Sequence, residues 1–147
     1  MKKIALFLSI LCLLASCASE TDSIPFEVHE QLPKGELALN DGKKWAADSA
    51  TAINMAGIDM LLQSFAQQPE NESLEAYNDL GKTLQGELQN LFAACTMKGA
   101  AHDMLHTLLL PIAEDVQLLN ESKDDVEAAA AYERIKERVA LYPNYFQ

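Results

Sequence analysis

The stretch SLEAYNDLGKTLQGELQNLFAAC, residues 73–95, decides the fold class of this chain. Its apolar side chains return every three or four positions, which is the period of a helix with one buried face. They are Tyr77, Leu80, Leu84, Leu88, Leu91 and Cys95. Ser73 stands where an N-cap residue is expected. The pattern predicts an amphipathic helix whose core-facing stripe ends at the cysteine.

A first helix is predicted upstream of this stretch. It begins near Asp48 or Ser49, either of which can cap it, and runs to about Gln68. The spacing of its apolar residues favours one inward face, made by Ile53, Gly57, Met60, Leu61 and Ser64 or Phe65. The sequence PENE at 69–72 then breaks the pattern.

Two further helices are predicted after Gly99. The third covers about residues 100–120, and Pro111 inside it lacks a backbone donor, so a kink or a break is expected there. The fourth follows a sequence, 124–127, that resembles a capping box, and Pro143 ends it. Their inner stripes are Leu105, Leu108, Leu109, Ile112, Val116 and Leu119 in the third helix, and Ala128, Tyr132, Ile135, Val139 and Tyr142 in the fourth.

Four amphipathic helices joined by short connections predict an all-α fold, an antiparallel four-helix bundle. Tyr145 and Phe146 form an aromatic tail that we expect to close the open end of the bundle. The adjacent carboxylates of Glu114 and Asp115, and the mixed charges of residues 133–138, are expected to form solvated surface.

The N-terminal residues predict where the protein is located in the cell. Lys2 and Lys3 precede an apolar run that is shorter than the roughly 20 residues of a transmembrane helix. Residues 14–17, Leu-Ala-Ser-Cys, resemble the lipobox of bacterial lipoproteins. The resemblance implies that the preceding peptide is removed and that Cys17 becomes an acylated N-terminus, which anchors the protein to a membrane. The alternative is an ordinary cleaved secretory signal with an incidental cysteine.

The predicted organisation is a signal peptide over 1–17, an irregular tether over 18–43 and a bundle domain over 44–147. Ala18, rather than an aspartate, follows Cys17; by the sorting rule of some bacterial lipoproteins this resemblance favours the outer membrane of the cell envelope. The formal net charge of −11 becomes more negative by two when Lys2 and Lys3 are removed, and it opposes binding to nucleic acid. A monomer and a homo-oligomer both remain open.

One segment, CTMKGAAHDMLH at 95–106, concentrates groups that bind metals. His102 and His106 are four residues apart and share one side of a helix, and a reversal at Gly99 would turn Cys95 toward them. With Met97 as a fourth ligand, this donor set predicts a site for a soft ion, Cu(I) first and Zn(II) second. Non-covalent haem is less favoured, and the absence of Cys-x-x-Cys-His opposes covalent haem.

The alternative is a structural or protein-interaction lipoprotein without a cofactor, in which Cys95 only packs in the core. The pattern Cys-Thr-Met-Lys-Gly-x-x-His-x-x-Leu-His, with Trp45 before it and the aromatic tail after it, resembles a group of small bacterial extracytoplasmic helical lipoproteins. The resemblance implies the helical fold and points to the same four residues, but it implies no mechanism. Nothing in the sequence indicates an oxyanion hole for a Cys95–His102 nucleophile, so we do not expect an enzyme.

Overall fold

Four long helices and one short helical turn form the regular structure of residues 35–147, the part of the chain that the computed structural model describes. They are α1 Ser49–Ala66, α2 Leu74–Ala94, α3 Ala100–Glu121, α4 Asp125–Val139 and α5 Tyr142–Tyr145. The predicted signal peptide with its lipobox-like residues 14–17, and the predicted tether up to residue 34, lie outside the described residues. Within residues 35–147, no helix combines the length and the apolar composition that crossing a membrane requires.

The helix starts follow local capping chemistry. Asp48 accepts from the backbone N–H of Thr51 at 2.7 Å, and Ser73 accepts from that of Ala76 at 3.2 Å. Asp124 accepts from the N–H of Glu127 at 2.8 Å. Each bond satisfies a donor that the first turn of a helix leaves without a partner. The expected starts of the first, second and fourth helices are therefore confirmed.

The four long helices pack against one another around a single core, so the helical fold is confirmed. In α2 and α3 every apolar residue of the expected stripes is buried except Cys95, which is half-buried at the end of α2. The expected stripe of α4 is buried as well, and only Tyr142, beyond the end of that helix, is half-buried. Phe65, Tyr77 and Tyr132 join α1, α2 and α4 through rings whose centroids lie 5.2 to 5.7 Å apart.

The inward face predicted for α1 is wrong in its central residues. Ile53 and Met60 are 71% and 69% exposed. Phe65, one of the two residues expected at the end of this face, is buried, and the other buried residues are Thr51, Met55, Ile58 and Leu62. Asp59 is the only charged residue of the helix, so apolar or small side chains cover both sides and the spacing does not distinguish them. Packing of Phe65 on Tyr77 and Tyr132 decides which side turns inward.

Two expectations about α3 are also corrected. Of the kink or break expected at Pro111, the break is absent, because the helix is continuous from Ala100 to Glu121. Asp115 is buried rather than solvated, and it accepts hydrogen bonds from Arg134, at 2.6 Å to Nη2, and from Arg138. Arg138 also donates to the carbonyl of Pro111 at 3.4 Å. These two arginines project from α4 and join it to α3, whereas Glu133 and Glu137 of the same segment are exposed as expected, and Lys136 pairs with Glu133 within α4 at 2.9 Å.

The C-terminal tail and the segment before α1 close one end of the domain. Trp45 donates its backbone N–H to the carbonyl of Tyr145 at 2.7 Å, and its own carbonyl accepts from Gln147 at 3.0 Å. Phe146 is buried and stacks on Tyr142 at 5.1 Å. The indole N–H of Trp45 donates to the carbonyl of Ala38 at 2.7 Å. Phe146 therefore provides a structural basis for the expectation that the aromatic tail closes one end of the bundle.

Helices α2 and α3 come very close together at Gly81 of α2. A Cβ atom at this position would lie 2.5 Å from the backbone nitrogen of Asn120 in α3. Because backbone atoms of a packed helix cannot move aside as a flexible side chain can, only glycine fits here. A Cβ atom on Gly86, in the same helix, would meet no other atom within 4 Å.

We expect Gly81→Ala and Gly86→Ala to change stability in opposite directions. Gly81→Ala forces α2 and α3 apart and should cost about 3 kcal/mol or more in the free energy of unfolding. Gly86→Ala should raise that free energy by about 1 kcal/mol, because alanine favours the helix and meets no obstacle. Urea unfolding followed by circular dichroism measures both; a similar effect of the two substitutions would contradict the close approach.

The bridge from Asp115 predicts a second matched pair. Asp115→Asn leaves two arginines facing a neutral amide and should lower the free energy of unfolding by about 1–2 kcal/mol, a value discounted because both arginines are partly exposed. Glu114→Gln, at the exposed neighbouring position, should change it by less than about 0.5 kcal/mol. Equal effects in thermal unfolding would show that Asp115 does not join the helices.

Candidate metal centre

The turn between α2 and α3 reverses the chain at Gly99. Cys95 is the C-cap of α2, and Gly99 is the N-cap of α3, with φ 65° and ψ −152°. This combination is essentially confined to glycine, because a Cβ atom would clash with the adjacent carbonyl groups. The reversal expected at Gly99 is therefore present, and it brings the end of one helix beside the first turn of the next.

The thiol of Cys95 and the imidazole of His102 meet across this turn. Cys95 Sγ lies 3.8 Å from His102 Nδ1, and both residues are half-buried. If an ion were bound about 2.3 Å from the sulfur and about 2.0 Å from the nitrogen, this separation would give a sulfur–ion–nitrogen angle of about 120°. The pair is thus spaced as two ligands of one ion could be, without movement of the backbone.

His106 extends this group by one turn of α3. Its ring centroid lies 4.4 Å from that of His102, at an interplanar angle of 52°, and 5.8 Å from that of Phe92. Burial lowers the pKa of His106, the neighbouring His102 lowers it further, and Asp103 acts in the opposite direction. This lowered pKa favours the neutral form of His106, which is the form in which imidazole binds metals.

The remaining predicted ligand is Met97, which is half-buried and, like Cys95, packs against the hydrophobic core. Among residues 35–147, no three His, Cys, Asp or Glu side chains converge in a geometry that would hold a metal ion. Cys95, His102 and His106 thus form one cluster. Within it, the two donor atoms whose separation suits a shared ion are Cys95 Sγ and His102 Nδ1.

Asp48 holds the loop that carries Cys95, a role that sequence spacing did not reveal. Besides capping α1, its Oδ2 accepts from the backbone N–H of Thr96 at 2.6 Å and from the Thr96 hydroxyl at 2.7 Å. The N–H of Thr51 and then these two Thr96 groups hold the pKa of Asp48 far below its usual range. The sequence indicates Asp48 only as a helix cap, because its contact with Thr96 joins residues 48 positions apart.

No protein-family model, curated protein or solved structure matches this chain significantly. The arguments for a site therefore depend on the chain's own residues and their geometry. In that geometry, the concentration of thiol and imidazole at the α2–α3 turn is the feature with recognisable chemistry.

We expect Asp48→Asn to loosen the loop while it leaves α1 capped. Asparagine is a good N-cap, but it has one acceptor oxygen rather than two, so it cannot hold both Thr51 and Thr96. The rate at which Cys95 reacts with a thiol reagent should rise about threefold or more, because the loop then opens more often. Asp124→Asn, a cap substitution at α4, is the control and should leave the rate unchanged; equal rates in the two variants would exclude a loop-holding role.

Proposed function

We propose that this protein is a membrane-anchored lipoprotein of the cell envelope whose helical domain binds a soft metal ion at the α2–α3 turn. The observation that carries the proposal is the 3.8 Å separation between Cys95 Sγ and His102 Nδ1. Cu(I) is the ion that we favour and Zn(II) is the second choice. The role is metal handling or sensing rather than catalysis.

The donor chemistry supports copper over zinc. A thiolate is a soft ligand that selects Cu(I), and imidazole suits copper and zinc alike. Structural zinc sites require four ligands, whereas Cu(I) accepts fewer. Cys95 Sγ and His102 Nδ1 would hold a Cu(I) ion as two ligands and would leave room for a third. His106 is the nearest further imidazole, with its ring centroid 4.4 Å from that of His102, and we propose it as the third ligand.

The anchor and the topology belong to the same proposal. In it, Cys17 is acylated, and the segment between Cys17 and the described residues connects the lipid to the domain; more than one acyl chain gives stable attachment. The outer membrane is the proposed location, because Ala18 rather than an aspartate follows Cys17.

The short connections between successive long helices favour an antiparallel up-and-down order, because the chain has little length in which to cross the domain.

A competition titration tests the metal site. The full-length chain in detergent is titrated with Cu(I) against a chromophoric Cu(I) chelator, and with Zn(II) against a zinc indicator. Cys95→Ser and His102→Ala should each weaken Cu(I) binding at least about tenfold, because each removes one of the proposed protein ligands. His29→Ala, which removes the third histidine of the chain, is the control and should bind as the parent does.

Two results would contradict the metal site. One is equal Cu(I) affinity in the parent, Cys95→Ser and His102→Ala chains. The other is a Cys95 thiol that reacts only after denaturation and that Cu(I) does not protect. Either result would favour the alternative, a structural or interaction lipoprotein in which Cys95 only packs against its neighbours.

A further inference from the structure

The segment before α1 runs along the first turns of α3. The backbone N–H of Ala38 donates to Met104 Sδ at 3.4 Å. A Cβ atom on Gly35 would lie 3.7 Å from Thr107 Oγ1, so the segment also reaches the next turn of that helix. In the sequence, Met104 stands between the two histidines of the proposed metal site. The segment is therefore held on the helix that supplies the imidazole ligands.

The same segment ends at the residue that holds the Cys95 loop. Asp48 accepts from the backbone N–H and the hydroxyl of Thr96, at 2.6 and 2.7 Å, and Thr96 directly follows Cys95. We call residues 35–48 the strap. Because one end of the strap contacts α3 and the other contacts the loop after α2, the strap braces the two sides of the proposed metal site against each other.

Hydrogen bonds inside the strap give it a defined shape. The indole N–H of Trp45 donates to the carbonyl of Ala38 at 2.7 Å. Asn40 and Lys43 exchange two backbone hydrogen bonds, at 2.8 and 3.0 Å, around an Asp-Gly pair at 41–42. The two central residues have φ 49° and 80°, both positive as a type I′ turn requires, and Asp-Gly favours that turn. The strap is thus a closed loop that can dock on the domain, or leave it, as a unit.

Few buried contacts hold the strap on the domain. Residues 38–44 are exposed, and Leu37, Trp45 and Ala47 are only partly buried against the core. The sulfur of Met104 is a weak acceptor. Segments with little buried apolar area and exposed hydrogen bonds open locally at a small cost in free energy. An additional interaction at the turn can therefore change how often the strap is docked.

We infer that docking of the strap regulates the metal site: the docked strap holds the thiol and the imidazole at the spacing that a shared ion needs, and a bound ion in turn stabilises the docked strap. When the strap is open, the ion must order the loop as it binds, and that ordering weakens binding. Two processes that favour each other do so by the same factor, so the coupling acts in both directions.

This inference rests on the proposed function and adds a means of regulation to it. The strap includes residues 35–43, the end of the predicted tether that leads from Cys17. Occupancy of the metal site would therefore affect the part of the described chain that is nearest in sequence to the proposed anchor.

Site-resolved proteolysis of the full-length chain in detergent tests the coupling in one direction. Lys43 and Lys44 are exposed in the strap, and trypsin cuts after them when the strap opens, because a protease needs an extended substrate. Cu(I) should slow this cleavage at least about threefold, as measured by mass spectrometry of the products. Lys123, exposed between α3 and α4, is the control in the same digest and should be cut equally fast with and without Cu(I). In the Cys95→Ser chain, Cu(I) should not slow cleavage of the strap.

The Cu(I) affinity of a strap variant tests the other direction. Trp45→Phe removes the indole donor to Ala38 but keeps an aromatic ring and the backbone pairing with the C-terminal tail. It should weaken Cu(I) binding about threefold or more in the competition titration. Tyr132→Phe is the matched control, because it removes a buried hydroxyl that has no hydrogen-bond partner within residues 35–147, and it should leave the affinity unchanged.

The outcomes distinguish failure of the coupling from failure of the metal site. Cu(I) binding that depends on the proposed ligands, together with unchanged cleavage of the strap, would overturn the coupling and leave the proposed function standing. Equal slowing at Lys123, or equal Cu(I) affinities of the two aromatic variants, would also overturn the coupling. Absence of ligand-dependent Cu(I) binding in the competition titration would overturn the proposed metal site and the coupling together.

Discussion

The close packing of α2 on α3 is the constraint on which the rest of this structure depends. At Gly81 the backbone of Asn120 fills the space that a side chain would need, so the two helices cannot separate or rotate there without loss of contact. At the other end of the pair, Gly99 reverses the chain in a conformation that favours glycine. Between these two points α2 and α3 have a single register, and that register sets Cys95 opposite His102.

Three chain segments meet at the end of the domain that holds this turn. Asp48 joins the start of α1 to Thr96, and Trp45 pairs with the C-terminal tail. Burial raises the pKa of Tyr142 in the tail, and the charge of Asp48 raises it further. The proposed metal site therefore lies on a scaffold that is tied at several points, as a site with fixed ligand geometry requires.

The sequence by itself determined the helices of this protein, most of their caps, the buried stripes of α2, α3 and α4, and the juxtaposition of Cys95 with His102. These features are local: they depend on a 3.6-residue period, on side chains that bond their own helix, and on a turn of four residues between α2 and Gly99. Tertiary structure alone decided which face of α1 is buried, the pairing of Asp115 with Arg134 and Arg138, and the contact of Asp48 with Thr96. These three features depend on how the helices rotate against each other. Spacing along the chain does not encode that rotation for α1, which lacks a single apolar side, or for contacts whose partners are far apart in the sequence.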